Sequence, residues 1–204
     1  MSWSSLEAAF LARDTDAFRA AVDALTTPVD EVLVADASRR TTTLNAYVSG
    51  FAGSRRVVLY DNLVDDVPRE EALSVVAHEL AHARHDDVLV GTVLGASGAA
   101  AAVGLLGLVL VRRRPSEAAT VPTMVALLVV GGLLALPVQN GISRTIELRA
   151  DVEALRVTGD PEAFEALQRR LALRSLADPT PPAWSQWWFG SHPTLLVRVA
   201  LARS

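Results

Sequence analysis

"HELAHARHDDVLVGTVLGASGAAAAVGLLGLVLV", residues 78–111, passes within ten positions from a histidine-rich polar run to an uninterrupted apolar one. How that junction is read decides the fold. Residues 88–111 are 24 positions without a charge, and a second run, "AATVPTMVALLVVGGLLALPVQNGI" (118–142), is 25 positions without one. At about 1.5 Å per residue each reaches roughly 36 Å as a helix, enough to cross a hydrocarbon core of about 30 Å. The competing reading is a pair of buried core helices. A chain of 204 residues has too little polar shell to enclose two of them. The short polar link "RRRPSE" then makes the pair a transmembrane hairpin with both ends on one side of the bilayer.

The polar half of the quoted stretch carries chemistry. HExxH on a helix sets two imidazoles four residues apart, on one face, with a carboxylate beside the cation they can share. Here these are His78, His82 and Glu79. A catalytic zinc needs a third protein ligand and leaves its fourth position to water. His85, next to Asp86, reads as a solvated surface residue. Hairpin geometry offers Glu147 instead. His82 lies six residues before the first apolar run and Glu147 five after the second. Both therefore stand on the same side of the membrane, about 7–9 Å beyond the ends of the runs if the helices continue. The midpoint between them falls at Arg114 and Pro115, inside the link. Asp151, one helical turn further, shares the face of Glu147 and can orient a ligand imidazole through its outer nitrogen. The plainer reading of both acids is a charged helix face pairing with Arg144 and Arg149. HELAH at matched height favours the metal site.

Away from this junction the chain reads as follows. Residues 5–25 have helical apolar spacing. "EVLVAD" (31–36) reads as a strand, and "NAYVSGF" (45–51) with "RRVVLYD" (55–61) as a hairpin around "AGS". A Pro-acid start precedes the zinc helix, whose Leu73, Val76, Ala77 and Leu80 share a face. Residues 143–159 and 160–177 read as helices. "DPTPPAWSQWWFG" reads as a Pro-rich loop whose tryptophans are either an interfacial belt or packing. The net charge of −4 gives no electrostatic footprint for nucleic acid, so none is expected as a partner. The absence of cysteine excludes disulfides, thiolate metal sites and a cysteine nucleophile. The first residues lack the basic and apolar regions of a secretory signal.

"NAYVSGFAGSRRVVLYDNLV", then "HELAH", two apolar runs, "SRTIELRAD" and "SHPTLLVR" together resemble the integral-membrane zinc metallopeptidases that include CAAX prenyl protease 1 and the HtpX proteases. The likeness covers roughly residues 30–203 and is closest to the CAAX prenyl protease branch. It implies one zinc per chain on His78, His82 and Glu147, with Glu79 acting on water and Asp151 behind the ligands. It also implies that Asn45 and Ala46 pair with the substrate backbone, and that His192 and Arg198 stabilise the scissile carbonyl oxygen. Independently, an edge strand before a zinc helix suits β-augmentation by an extended peptide. A donor near zinc suits oxyanion stabilisation. Members of the CAAX branch carry several spans before the catalytic part, and this chain shows none before residue 88. It is therefore expected to be either a module of a longer membrane protease or a minimal member, which leaves prenylated substrates open.

The expected fold is mainly α with a small zincin-like β-sheet plus the membrane hairpin. Its parts are residues 1–87, 88–142 and 143–204, the first and last forming one catalytic unit. The expected function is a membrane-bound zinc endopeptidase acting on peptide or protein substrates. The alternatives are an inactive zinc-binding membrane scaffold and a metal-free membrane adaptor. Arg112, Arg113 and Arg114 favour a cytoplasmic link, whereas the resemblance favours a cytoplasmic catalytic side.

Overall fold

The computed structural model describes residues 31–50, 54 and 56–204. The helix expected at 5–25 and part of the hairpin turn lie outside them. Three short strands, β1 (Glu31–Ala35), β2 (Ala46–Ser49) and β3 (Arg56–Tyr60), form one sheet in the order β1-β3-β2. β2 and β3 are the expected antiparallel pair, with Tyr47 opposite Val58, while β1 runs parallel to β3. The central strand is the most buried, as its Val57, Val58 and Leu59 show. That leaves β2 as an edge.

β3 runs directly into a short helix not anticipated from the sequence, α1 (Asp61–Asp66). Its first two residues hold the loop that leads to β2. The Asp61 carboxylate accepts from the backbone N–H groups of Ala37 (3.0 Å) and Ser38 (2.8 Å) and from the Ser38 hydroxyl (2.6 Å). Asn62 donates its amide to the carbonyl of Thr43 (3.0 Å), two residues before Asn45. Pro68 then caps α2 (Arg69–Arg84), the HELAH helix. Its Val76, Ala77 and Leu80 are fully buried, and the core gathers Val76 and Leu80 with Leu44, Leu59 and Leu63.

The hairpin follows as α3 (Asp87–Arg113) and α4 (Glu117–Thr158), joined at Arg114 in a left-handed conformation. The most apolar 18-residue stretches of the two helices are 0 % and 6 % buried. They are long and apolar enough to cross a membrane and are not core helices. Two differences from expectation matter. α2 does not continue into α3, because Asp86, at φ 53°, breaks the helix. α4, by contrast, runs 42 residues without a break, so that the second span and the helix expected at 143–159 are one element. Pro137 sits within it and supplies no N–H to the carbonyl four residues earlier. The indole N–H of Trp188 donates to that carbonyl, Leu133 O, at 3.0 Å.

Trp188 belongs to α6 (Ala183–Phe189), a helix where a loop was expected. It follows α5 (Pro161–Ser175), which Asp160 caps by accepting from the Ala163 N–H at 2.9 Å. Pro182 ends the extended stretch and starts α6 at its N-cap, where a missing N–H costs nothing. Asn140 and Arg144 of α4 donate to α6 and its exit, at Trp188 O, Gln186 O and Gly190 O. Trp188 is thus a packing residue, whereas Trp184, Trp187 and Phe189 remain exposed. The last element, α7 (Leu195–Ala202), starts at Thr194.

Candidate metal centre

α2 and α4 pack side by side, with buried Ala77 and Ala81 on one and Ala150 and Ala154 on the other, so their axes approach closely. Along this seam residue 78 meets 151 and residue 82 meets 147. His78 also faces Glu147, so both imidazoles meet that carboxylate. His78, His82 and Glu147 thereby converge. The two Nε2 atoms are 3.0 Å apart, His78 Nε2 is 3.5 Å from Glu147 Oε2, and His82 Nε2 is 3.6 Å from Oε1. Tetrahedral zinc with bonds of about 2.0–2.1 Å requires ligand atoms about 3.3 Å apart. The donor set, two imidazoles and a carboxylate, and its spacing both fit such an ion.

The surroundings fix each donor. His78 Nδ1 lies 3.0 Å from Asp151, a carboxylate with no exposure at all. The Arg198 Nε lies 3.0 Å from the other oxygen of Asp151. Neither nitrogen aims its N–H along the line, since both Asp151 oxygens lack a well-directed donor, so these are ion contacts rather than hydrogen bonds. Arg198 also donates to Glu147 Oε2 (2.8 Å) and to Gln168 (2.9 Å). His192 Nδ1 is 3.0 Å from the same Glu147 oxygen. His82 Nδ1 meets a partner absent from the sequence reading, Asp87 Oδ2, at 2.9 Å. His85 is not simply solvated: its Nε2 contacts Glu153 on α4 at 2.6 Å, because the end of α2 packs on the same helix.

The charges follow from these contacts. Burial opposes a proton on His78, yet the Asp151 and Glu147 carboxylates against its two nitrogens raise it to about 9. Burial, with the positive charge of His78, lowers His82 below the ordinary imidazole value. For Glu147, burial pushes upward, but His192 and His78 hold the carboxyl well below the usual range. Burial raises Glu79 to about 7, helped by the charge of Glu147 and opposed by His78 and by the N–H of Val48. Glu79 is therefore a carboxylate beside the donors, poised near neutrality and touching the edge strand β2.

A cleft of about 180 Å³ opens over this group. Asn45, Ala46, His78, Glu79, Glu147, His192 and Arg198 all line it; of the other site residues expected from the sequence, Asp151 lies against His78 Nδ1 and His82 meets His78 through its Nε2. Asp87 was missed.

Comparison with known proteins agrees with this architecture. The chain is 28% identical over 183 residues to the uncharacterized metalloprotease YhfN of Bacillus subtilis, covering 84% of this chain and 43% of that one. It is 30% identical over 195 residues to a CAAX prenyl protease 1 homolog of Oryza sativa (86% and 44%). A protease HtpX homolog of Desulforapulum autotrophicum is 28% identical over 184 residues (79% and 60%). The chain spans about half the length of these relatives. Among solved structures, S. mikatae Ste24p shares the fold with a TM-score of 0.74 at 23% identity, over 86% of this chain and 45% of that one. The profile of Peptidase family M48 matches residues 13–204, and with both the fold and the sequence in agreement, the chain belongs to that family.

Proposed function

We propose that this chain is a membrane-embedded zinc endopeptidase unit that binds one zinc ion through His78, His82 and Glu147. The observation that carries this is the convergence of the three donors at 3.0–3.6 Å with the Glu79 carboxylate beside them. Bound there, zinc supplies Lewis acidity, which acidifies water and polarises a carbonyl. The residues of the chain do the rest. Glu79, raised by burial, takes the proton of the attacking water and delivers it to the leaving nitrogen. Asn45 and Ala46, at the start of edge strand β2, receive an extended substrate backbone along the cleft. His192, which lines the cleft beside Glu147, serves as a donor to the developing oxyanion. Asp151 orients His78. Arg198, expected to meet the substrate, has its donors turned to Glu147, Gln168 and Asp151, so we assign it to holding the ligand carboxylates.

Residues 1–87 and 143–204 form one catalytic unit on this reading, interrupted by the hairpin at 88–142. Its substrates are peptides or proteins near the bilayer, and the catalytic side faces the cytoplasm, as in the resemblance drawn from the sequence.

The test is zinc content and cleavage of an unfolded casein-type substrate by detergent-purified wild type and Glu79→Gln. Zinc near one per chain in both, with cleavage by wild type alone, is the expected result. Zinc in both without cleavage by wild type favours the inactive scaffold. Absence of zinc from wild type sinks the reading.

A further inference from the structure

His78 and His82 are held by the same device, twice over. Each presents Nε2 to the donor cluster and turns Nδ1 toward a carboxylate: Asp151 at 3.0 Å for His78 and Asp87 at 2.9 Å for His82. Each carboxylate is in turn met by an arginine, Arg198 for Asp151 and Arg149 for Asp87. Asp87 is 10 % exposed, so solvent does not screen either contact fully. We propose that Asp87 is a positioning residue for the metal centre, fixing the ring orientation and tautomer of His82 through the Nδ1–H, with Arg149 steadying the carboxylate. This rests on the reading that His78, His82 and Glu147 hold zinc.

A carboxylate behind a ligand histidine raises its basicity and fixes the nitrogen that faces the metal. The contact exists only because of the break at Asp86. Five residues along an unbroken helix, Asp87 would project about 140° away from His82. The left-handed turn at Asp86 redirects the chain, and α3 starts with Asp87 lying back against His82. The bland alternative is that Asp87 is merely an acid in the first turn of α3, where it complements the helix dipole. Such a role needs the charge but no contact with His82. Asp87 is also the first residue of α3, so the helix that carries the first apolar run and the donor cluster share a side chain.

The experiment measures zinc affinity by chelator competition on the full chain in detergent, for wild type, Asp87→Ala and Asp87→Asn. Asp86→Asn serves as the control for a charge lost one position away. Asp87→Ala is expected to weaken zinc binding about 10–100-fold and Asp87→Asn less, with helical content unchanged, while Asp86→Asn stays close to wild type. Wild-type zinc affinity in a folded Asp87→Ala overturns the proposal and leaves the peptidase reading intact. A wild type that binds no zinc overturns both. If neither Asp87 variant folds, nitrogen-15 spectra of the metal-free wild type decide. A His82 proton on Nδ1 upholds the proposal, and one on Nε2 overturns it.

Discussion

Without metal, the proton on His78 and the charge on Glu79 make the site a pH-dependent liability. His78 titrates at about 9 in the folded chain, above its ordinary 6.5, so its stabilising contribution is complete below pH 6.5 and is lost as pH rises through 9. Glu79 is raised from 4.5 to about 7, so burying it costs nothing below pH 4.5 and reaches its full cost above 7. Both act in one direction. Above pH 6.5, where the lowered His82 no longer acts in the opposite sense, metal-free protein is therefore expected to melt at progressively lower temperature up to pH 9, and thermal scans across that range check it. A melting temperature that is flat or rises over the range would contradict the assignment of both shifts. Zinc must displace the His78 proton, so its affinity should climb with pH over the same interval, as a chelator competition repeated at each pH would show.

Among the elements, the anchor at the start of α1 gives the clearest stability prediction. Burial pushes the Asp61 carboxyl up, but the Ser38 hydroxyl and the N–H groups of Ser38, Asn62 and Ala37 more than offset it, leaving it below its ordinary value. A depressed carboxyl contributes stability above its unfolded value and loses it as pH falls. Asp61→Asn should cost about 2 kcal/mol at neutral pH, by the loss of charge-assisted hydrogen bonds, and flatten the acid limb of the stability curve. Denaturant titrations at pH 7 and pH 3 measure both. The convergence of the histidine pair with Glu147 was legible because HExxH needs only helical periodicity, and because a hairpin folded at the link sets the height of Glu147. Asp87 was not, since helical periodicity points it away from His82 and nothing local announces the left-handed turn at Asp86. The helix α6 was hidden by the prolines before it, and the continuity of α4 by Pro137, which leaves the Leu133 carbonyl to be met by the distant Trp188.

At the scale of the molecule, the sheet, the HELAH helix and the paired apolar helices were all readable, because each rests on a strong period or a long charge-free run. The orientation in the membrane was not, because the arginines of the link and the family resemblance point opposite ways. The absence of cysteine offers a direct measurement. Ser116→Cys, in the exposed link between α3 and α4, gives one labelling site. In sealed vesicles of known orientation, an impermeant maleimide should reach it from the face opposite the cytoplasm. Labelling from the cytoplasmic face would reverse the proposed topology.

The unbroken run of α4 also makes it a ruler. From the end of the charge-free run at residue 142 to Glu147 is five helical residues, a rise of roughly 7–8 Å. No joint lies between them, so a bilayer around the apolar run sets the altitude of the donor cluster as rigidly as a gauge block. If the proposed function holds, a bond offered for cleavage has to lie in that thin layer just above the lipid. Selection among substrates would then be partly a matter of distance from the membrane surface, imposed before any side chain is recognised.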